Sequence, residues 1–349
     1  MYIVASPAFR FAEKNPYTSQ LYEHLRRRGH RVEDFSPSAV LRDRPDVWHL
    51  HWPDYQLAMK GGLQVGVRIA ALTALLRLAK AKGTRVVWTA HNVSSHERRH
   101  PFLERLLWRA VSHSVDGIIA LSAFGAQEVR LRHPTLRHVP CAVIPHGHYR
   151  DVYGSPADKA EARTRLGLPP DGLLLLHLGQ LRPYKNVHGL IEAFADAQLP
   201  EAILLVAGQP IDTAMKRSLE HVAEGMSNVM LQLEFVPRDE VRWFFSACDL
   251  VVLPYTDFSN SGAAILSLSF DRPIVVPRRG AMMELRDWYG QEWVRVYDGR
   301  LSGEILKREA AGPLPATRLA LPELEWPAIA EETEKFYGHL LAGKAVSRL

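Results

Sequence analysis

The chain has 349 residues, 47% hydrophobic and 23% charged, which excludes a disordered chain and asks for more than one core of ordinary size. Its two cysteines, Cys141 and Cys248, exclude a disulfide framework or a cysteine-built zinc site and suit a reducing compartment. The net charge of +5 hides an asymmetry: residues 1–150 carry 22 Lys+Arg against 11 Asp+Glu, and residues 151–349 carry 21 against 27. A basic first half fits an anionic partner (nucleic acid, an anionic membrane surface or a phosphorylated acceptor) or a solvated basic face.

The opening residues, MYIVASPAFRFAEKNPY, lack a basic region followed by an apolar core and do not read as a signal peptide. No run of about eighteen apolar residues stands out as a membrane span. Residues 2–5, 47–51, 85–90, 117–121 and 142–144 read as buried strands, with helices over 16–28 and 66–82. The polar stretch 151–172 reads as a crossover. The series then restarts, with strands at 173–178, 202–207, 230–233, 250–253 and 273–276 and helices at 187–197, 239–247 and 262–270. Strands alternating with helices predict an α/β protein of two successive doubly wound units, with ligands at the C-terminal ends of the strands.

The strongest local signal is LLLLHLGQLRPYKN, residues 173–186. An apolar strand ends in Gly179, which admits close backbone approach, and Arg182 and Lys185 follow before a helix. Two cations beside a helix N-terminus make a diphosphate site, because open amides and the helix dipole add to their charge. In the second signal, DFSNSGAAILSLSF at 257–270, Ser259, Asn260, Ser261 and Gly262 stand where a loop enters a helix. Open amides there suit a second phosphate contact, ordinary N-capping, or both.

These blocks, GQLRPYKN, LEFVPRDEVRWFFSACDLVVLPY and SNSGAAILSLSFDRPIVV, resemble the C-terminal half of GT-B glycosyltransferases. The resemblance implies GT-B architecture: two Rossmann-like domains facing a cleft, with a C-terminal helix returning to the N-terminal one. Domains are expected at 1–155 with helix 326–349 (acceptor) and at 156–325 (nucleotide-sugar), with the Arg182/Lys185 pair on the donor diphosphate. HLHWPDY at 49–55, WTAHNVSSHE at 88–97, IPHGHYRD at 144–151 and NPYTSQLYEHL at 15–25 are similar to bacterial exopolysaccharide β-1,4-mannosyltransferases. That narrower likeness implies mannose transfer from GDP-mannose to a polyprenyl-diphosphate-linked glycan, as in xanthan-type assembly. It also implies a cytoplasmic enzyme peripheral on the inner face of the cell membrane, and no cofactor.

One departure bears on mechanism. The large retaining family of this fold has two glutamates around the donor-side helix; aligned on Arg272-Pro273, those positions are Phe258 and Leu266. An inverting transfer fits better, and it needs a base on the acceptor hydroxyl and cations on the leaving diphosphate. Asp54, after the strand at 47–51, is the preferred base and Glu97 the second. His91 matches a histidine that the wider family places near the donor sugar, or is a core-edge histidine bonded to backbone. His146 and His148, with Arg150, stand at the crossover as hinge-side contacts to donor or acceptor; no third ligand accompanies them, so no metal is expected. Asn15 and Tyr17 lie in the first βα loop, near phosphate or acceptor, with a capping role open for Asn15.

Residues 66–82, with Arg68, Arg77, Lys80 and Lys82, and the following Arg98, Arg99, Arg105 and Arg109 beside Phe102, Leu106, Leu107 and Trp108, form a basic amphipathic stretch. It suits anionic lipid, or a plain core helix. Alternatives are a soluble glycosyltransferase of secondary metabolites, a nucleotide-sugar 2-epimerase, and a basic nucleic-acid-binding protein. No RNP, KH or helix-turn-helix pattern supports the last.

Overall fold

A computed structural model describes residues 1–13, 15–59, 61–91 and 100–343. The chain divides into two compact units: Met1–Gly147 with the segment from Pro322 onward, and His148–Leu321. Each is built on a six-stranded, all-parallel sheet. Strands buried on both faces read as short continuous apolar runs, which is why they were legible.

In the first unit the strands are β1 (Tyr2–Ser6), β2 (Arg31–Asp34), β3 (Val47–Leu50), β4 (Arg85–Ala90), β5 (Gly117–Ala120) and β6 (Cys141–Val143). Their order is β2-β1-β3-β4-β5-β6, so the chain reverses direction across the sheet between β1 and β3. The helices are α1 (Tyr17–Arg27), α2 (Pro37–Arg42), α3 (Gly62–Ala81), α4 (Pro101–Ser114) and α5 (Ala123–Arg132). Leu50 of β3 is opposite Trp88 of β4, which brings the residues just past those two strands side by side.

The second unit starts with α6 (Lys159–Arg165), followed by β7 (Leu173–Leu178), α7 (Val187–Ala197), β8 (Ala202–Ala207), α8 (Thr213–Val222), β9 (Val229–Gln232), α9 (Val241–Ala247) and β10 (Leu250–Val252). Then come α10 (Gly262–Ser269), β11 (Ile274–Pro277), α11 (Met282–Tyr289), β12 (Val294–Tyr297) and α12 (Gly303–Ala310). The order β12-β11-β10-β7-β8-β9 puts the reversal between β7 and β10. The last helix, α13 (Trp326–Leu341), returns to the first unit: Trp326, Ile329, Ala330, Phe336, Tyr337 and Leu340 join the core with Ile3, Ala5 and Tyr17.

Three expectations are corrected. The units change over at Gly147/His148 and Leu321/Pro322 rather than at 155 and 325. The stretch 151–172 is not a plain crossover, because it contains α6. This seven-residue helix buries Arg163, paired with Asp249 at 2.9 Å, so its anchor is a charge rather than an apolar stripe. And α3 is long and apolar enough to cross a membrane, with a mean hydropathy of 1.4 over an 18-residue window of which 22% is buried. Val65, Ile69, Leu76 and Ala79 of α3 are buried in the first unit's core.

Candidate active site

Ligands of open α/β sheets collect beyond the strand C-termini where the strand order reverses. In the second unit that point lies between β7 and β10, and both sequence signals converge there: Gly179–Lys185 follows β7, and Thr256–Gly262 follows β10. The two loops are tied together, since the Thr256 N–H donates to the Tyr184 carbonyl at 2.8 Å. The Tyr184 and Tyr255 rings meet edge to face at 5.9 Å.

Lys185 is the pivotal side chain there. It is 8% exposed, and its Nζ lies 5.3 Å from the centre of the Tyr255 ring. Burial, with Arg182 nearby, lowers its ammonium from the ordinary lysine range to about 8. Among the described residues no ion pair is made by this buried cation; an unpaired buried cation is costly, and an anionic ligand is what offsets that cost. Gly179, at φ +141°, makes the room, because a β-carbon there would stand 3.0 Å from Lys185 Nζ. Behind it Gly208 is obligatory, since its β-carbon would stand 1.9 Å from the Gly179 carbonyl oxygen. Arg182 is half-buried immediately ahead of the turn Pro183–Lys185 that leads into α7.

Across the crevice, Ser261 caps α10, accepting from the Ala264 N–H at 3.2 Å. The amides of Gly262 and Ala263 stand in the same first turn. Ser259 is held by its carbonyl, which accepts from the Ala281 N–H at 3.0 Å, and Asn260 is half-buried between them. Phe258 and Leu266 are buried and apolar, Phe258 against Tyr255 at 5.6 Å. No carboxylate occupies either position.

In the first unit the corresponding point lies past β1 and β3. Tyr17, at the start of α1, is buried, and its ring meets His91 at 4.8 Å, His146 at 4.6 Å and Trp326 at 5.5 Å. His91, just past β4, stacks on Trp52 at 4.3 Å. Asp54 opens the short turn Pro53–Ala58. Burial, with Glu104 adding to it, raises its carboxyl above the usual range, and a backbone hydrogen bond opposes this. Tyr17, His91 and His146 are therefore brought together, with Asp54 at the same end of the sheet. Asn15 Oδ1 accepts from the Tyr17 N–H at 3.2 Å, one residue ahead of the N-cap Pro16 of α1. Glu97 lies outside the described residues, as do Arg98 and Arg99.

The crossover residues divide. His146 belongs to the first unit, its Nδ1 2.8 Å from the Gly147 carbonyl, whereas His148 and Arg150 belong to the second. Arg150 donates to the Ser269 carbonyl at 3.2 Å, to Asp271 at 2.7 Å and to the Leu319 carbonyl, which makes it a structural clamp. Among the described residues no group of three or more His, Cys, Asp or Glu is placed to hold a metal ion.

Sequence reasoning missed His49 and His51 as part of the site's support. Tyr22 Oη lies 2.8 Å from His49 Nδ1 and 2.5 Å from His51 Nε2. His51 Nδ1 lies 3.0 Å from His91 Nε2. The signal was there in the motif HLHW, whose two histidines, two apart, lie one in β3 and one just past its end, on the same side of the chain.

Residues 158–276 match the family described as Glycosyl transferases group 1. Over 323 residues the chain is 32% identical to the GDP-mannose:glycolipid 4-beta-D-mannosyltransferase of Xanthomonas campestris pv. campestris, covering 92% of this chain and 87% of that protein. The chain belongs to the group 1 glycosyltransferases. This glycosyltransferase has the GT-B fold, as two solved structures attest. Sucrose-phosphate synthase from Thermosynechococcus elongatus superposes with a TM-score of 0.72 at 17% identity, covering 98% of this chain and 99% of that one. Anabaena HepE, solved with UDP and glucose, gives 0.64 at 17% identity and 98% of both chains. The glycosyltransferase is a hexosyltransferase, and its Xanthomonas relative is named for a nucleotide-sugar donor.

Proposed function

We propose that the enzyme transfers mannose from GDP-mannose, with inversion, onto a polyprenyl-diphosphate-linked glycan at an anionic membrane surface in exopolysaccharide assembly. The observation that carries the chemistry is Lys185, a cation buried at the sheet's switch point with Arg182 beside it. Together with the α10 amides, the pair neutralises the diphosphate as it leaves, so transfer proceeds without a metal. The choice of GDP-mannose and of a lipid-linked acceptor rests on the likeness to the Xanthomonas enzyme. Inversion is supported by Phe258 and Leu266, where a retaining enzyme would hold carboxylates. Asp54, a carboxyl whose burial makes it a stronger base, takes the acceptor proton, with Glu97 the alternative. Tyr17, His91 and His146 shape the wall beside it.

The membrane reading is supported by α3 and α4. Leu63 is 84% exposed, Val67 61% and Phe102 63%. Arg68, Arg77, Arg105 and Arg109 are exposed on the same two helices, which pack on each other. Apolar side chains at the acyl boundary with arginines at headgroup level match an anionic lipid surface.

Thermal-shift measurements with GDP, UDP, ADP, dTDP and their sugars, in EDTA, test the donor. Stabilisation by GDP and GDP-mannose alone is expected, and a preference for UDP or dTDP overturns the donor while keeping the diphosphate site. Product NMR on a lipid-linked acceptor then reads the anomer, and an α linkage overturns inversion. Release of free sugar without acceptor at turnover rates would point to a 2-epimerase instead. Sedimentation with vesicles should show binding to phosphatidylglycerol-containing lipid and not to pure phosphatidylcholine. Equal binding to neither overturns the membrane role.

A further inference from the structure

We infer that Phe11 and Tyr55 form an aromatic platform for a hexopyranose ring of the acceptor glycan, beside the Asp54 carboxyl. The inference rests on the reading of the enzyme as a transferase with a glycan acceptor, and it names where that glycan is held.

Two separate loops carry the pair. Phe11 lies between β1 and α1, and Tyr55 follows Asp54 in the turn Pro53–Ala58 beyond β3. The strand order of the first sheet reverses between β1 and β3, so the two rings come from either side of the point where open α/β sheets take their ligands. The rings meet at 6.1 Å with their planes tilted by 50°, yet Phe11 is 38% and Tyr55 60% exposed. Apolar side chains exposed singly are ordinary, but two rings from different loops that touch each other while open to water mark an interaction site.

The backbone under both rings is fixed in advance. The Asp34 carboxylate accepts from the amides of Ala8 at 2.8 Å, Phe9 at 3.1 Å and Arg10 at 3.4 Å. The Arg26 guanidinium lies 3.9 Å from the centre of the Phe9 ring. The Phe9 carbonyl accepts from the Ala12 N–H at 3.0 Å, and the Phe11 carbonyl from the Asn15 N–H at 2.8 Å. On the other loop the Tyr55 N–H donates to the Trp52 carbonyl at 3.1 Å, with Pro53 at the head of the turn. Loops tied in this way present the rings without paying to order the backbone at binding.

The surroundings select the occupant. A hexopyranose has a face of C–H groups and an edge of hydroxyls, so it suits an aromatic face bordered by polar groups. Tyr55 supplies both, in its ring and its phenol hydroxyl. Asp54 is its chain neighbour, which holds a sugar on that ring close to the carboxyl that takes the acceptor proton. An acyl chain on the same rings would instead take water from Arg10 and Glu13, both exposed, and from Asp54.

Saturation-transfer NMR on the full-length protein reads the contact, with methyl β-glucoside, methyl α-mannoside and methyl β-glucuronide as soluble probes and the open-chain hexitol sorbitol as control. Irradiating the aromatic protons should saturate the C–H face of at least one pyranoside and not sorbitol, and the Phe11→Ala/Tyr55→Ala double variant should lose that signal. In transfer to a lipid-linked acceptor, Phe11→Ala and Tyr55→Ala should each raise the acceptor KM about tenfold, as loss of one aromatic contact does, with kcat and donor KM little changed. Tyr55→Phe keeps the ring and should stay near wild type. Both side chains are exposed, so all these variants should unfold at the wild-type temperature.

An unchanged signal in the double variant, no signal on any pyranoside, or a wild-type acceptor KM in both single variants overturns the inference. Variants that lose vesicle sedimentation but keep the sugar signal also overturn it, and make the pair a lipid contact. If the signal behaves as expected while no lipid-linked glycan is turned over, the platform stands and the acceptor reading has failed.

Discussion

Gly147 lies under the indole of Trp326, so close that a β-carbon there would stand 2.4 to 2.6 Å from three ring atoms. Trp326 in turn packs on Tyr17, so the glycine sets how deeply α13 seats against the residues around His91. Gly147→Ala should destabilise the protein by about 1–3 kcal/mol through overpacking, measured by chemical denaturation. Gly117→Ala should act similarly, because its β-carbon would stand 2.5 Å from Leu340 and 2.9 Å from Phe336.

Lys185 is placed for binding at the expense of stability. Lys185→Met should abolish the thermal shift given by nucleotide diphosphates while raising the stability of the free protein by about 1–3 kcal/mol. The wild-type affinity for a diphosphate should fall as pH rises above about 8, where the free ammonium loses its proton. Calorimetric titrations at pH 7 and pH 9 check both statements.

Asp54→Asn should lower kcat by about 10²–10⁴-fold with little change in donor affinity. Because burial raises its carboxyl, the acid limb of the wild-type kcat/KM profile should lie above the range of an exposed aspartate. An Asp54→Asn enzyme with wild-type kcat moves the base to Glu97.

The first unit should be acid-labile. Burial lowers His49 to about 3 and His146 to about 4, and holds His51 and His91 well below the usual histidine range. An unfolded chain takes up those protons near pH 6.5 and the folded one refuses them. Stability is therefore full above about pH 6.5 and falls as pH drops toward 4, by about 1.4 kcal/mol per pH unit for each histidine. Denaturation midpoints at pH 7, 6 and 5 check this, and His49→Gln should flatten the slope.

Ten of the twelve described strands were legible because each is a short apolar run, and the diphosphate loop because its cations follow a strand that ends in glycine. What was less legible explains itself physically. β2, with the sequence RVED, is an edge strand in which only Val32 is buried, so no apolar run marks it. α6 is anchored by a buried Arg163–Asp249 pair. The support under His91 depends on Tyr337, 288 positions from His49, and no local pattern foretells a partner at that distance. Asp54 was found from its place after a strand, but its raised carboxyl is a property of burial that only the packed protein has.

The second unit is a single unbroken segment, His148–Leu321, whereas the first takes α13 from beyond it. A ribosome adding roughly 5–20 residues per second spends about 9–35 s on those 174 residues. Through that interval the first sheet waits without the helix that covers Ile3, Ala5 and Tyr17. The later-made half is thus able to finish folding first, and the unsealed first half is the stretch of nascent chain most in need of a chaperone.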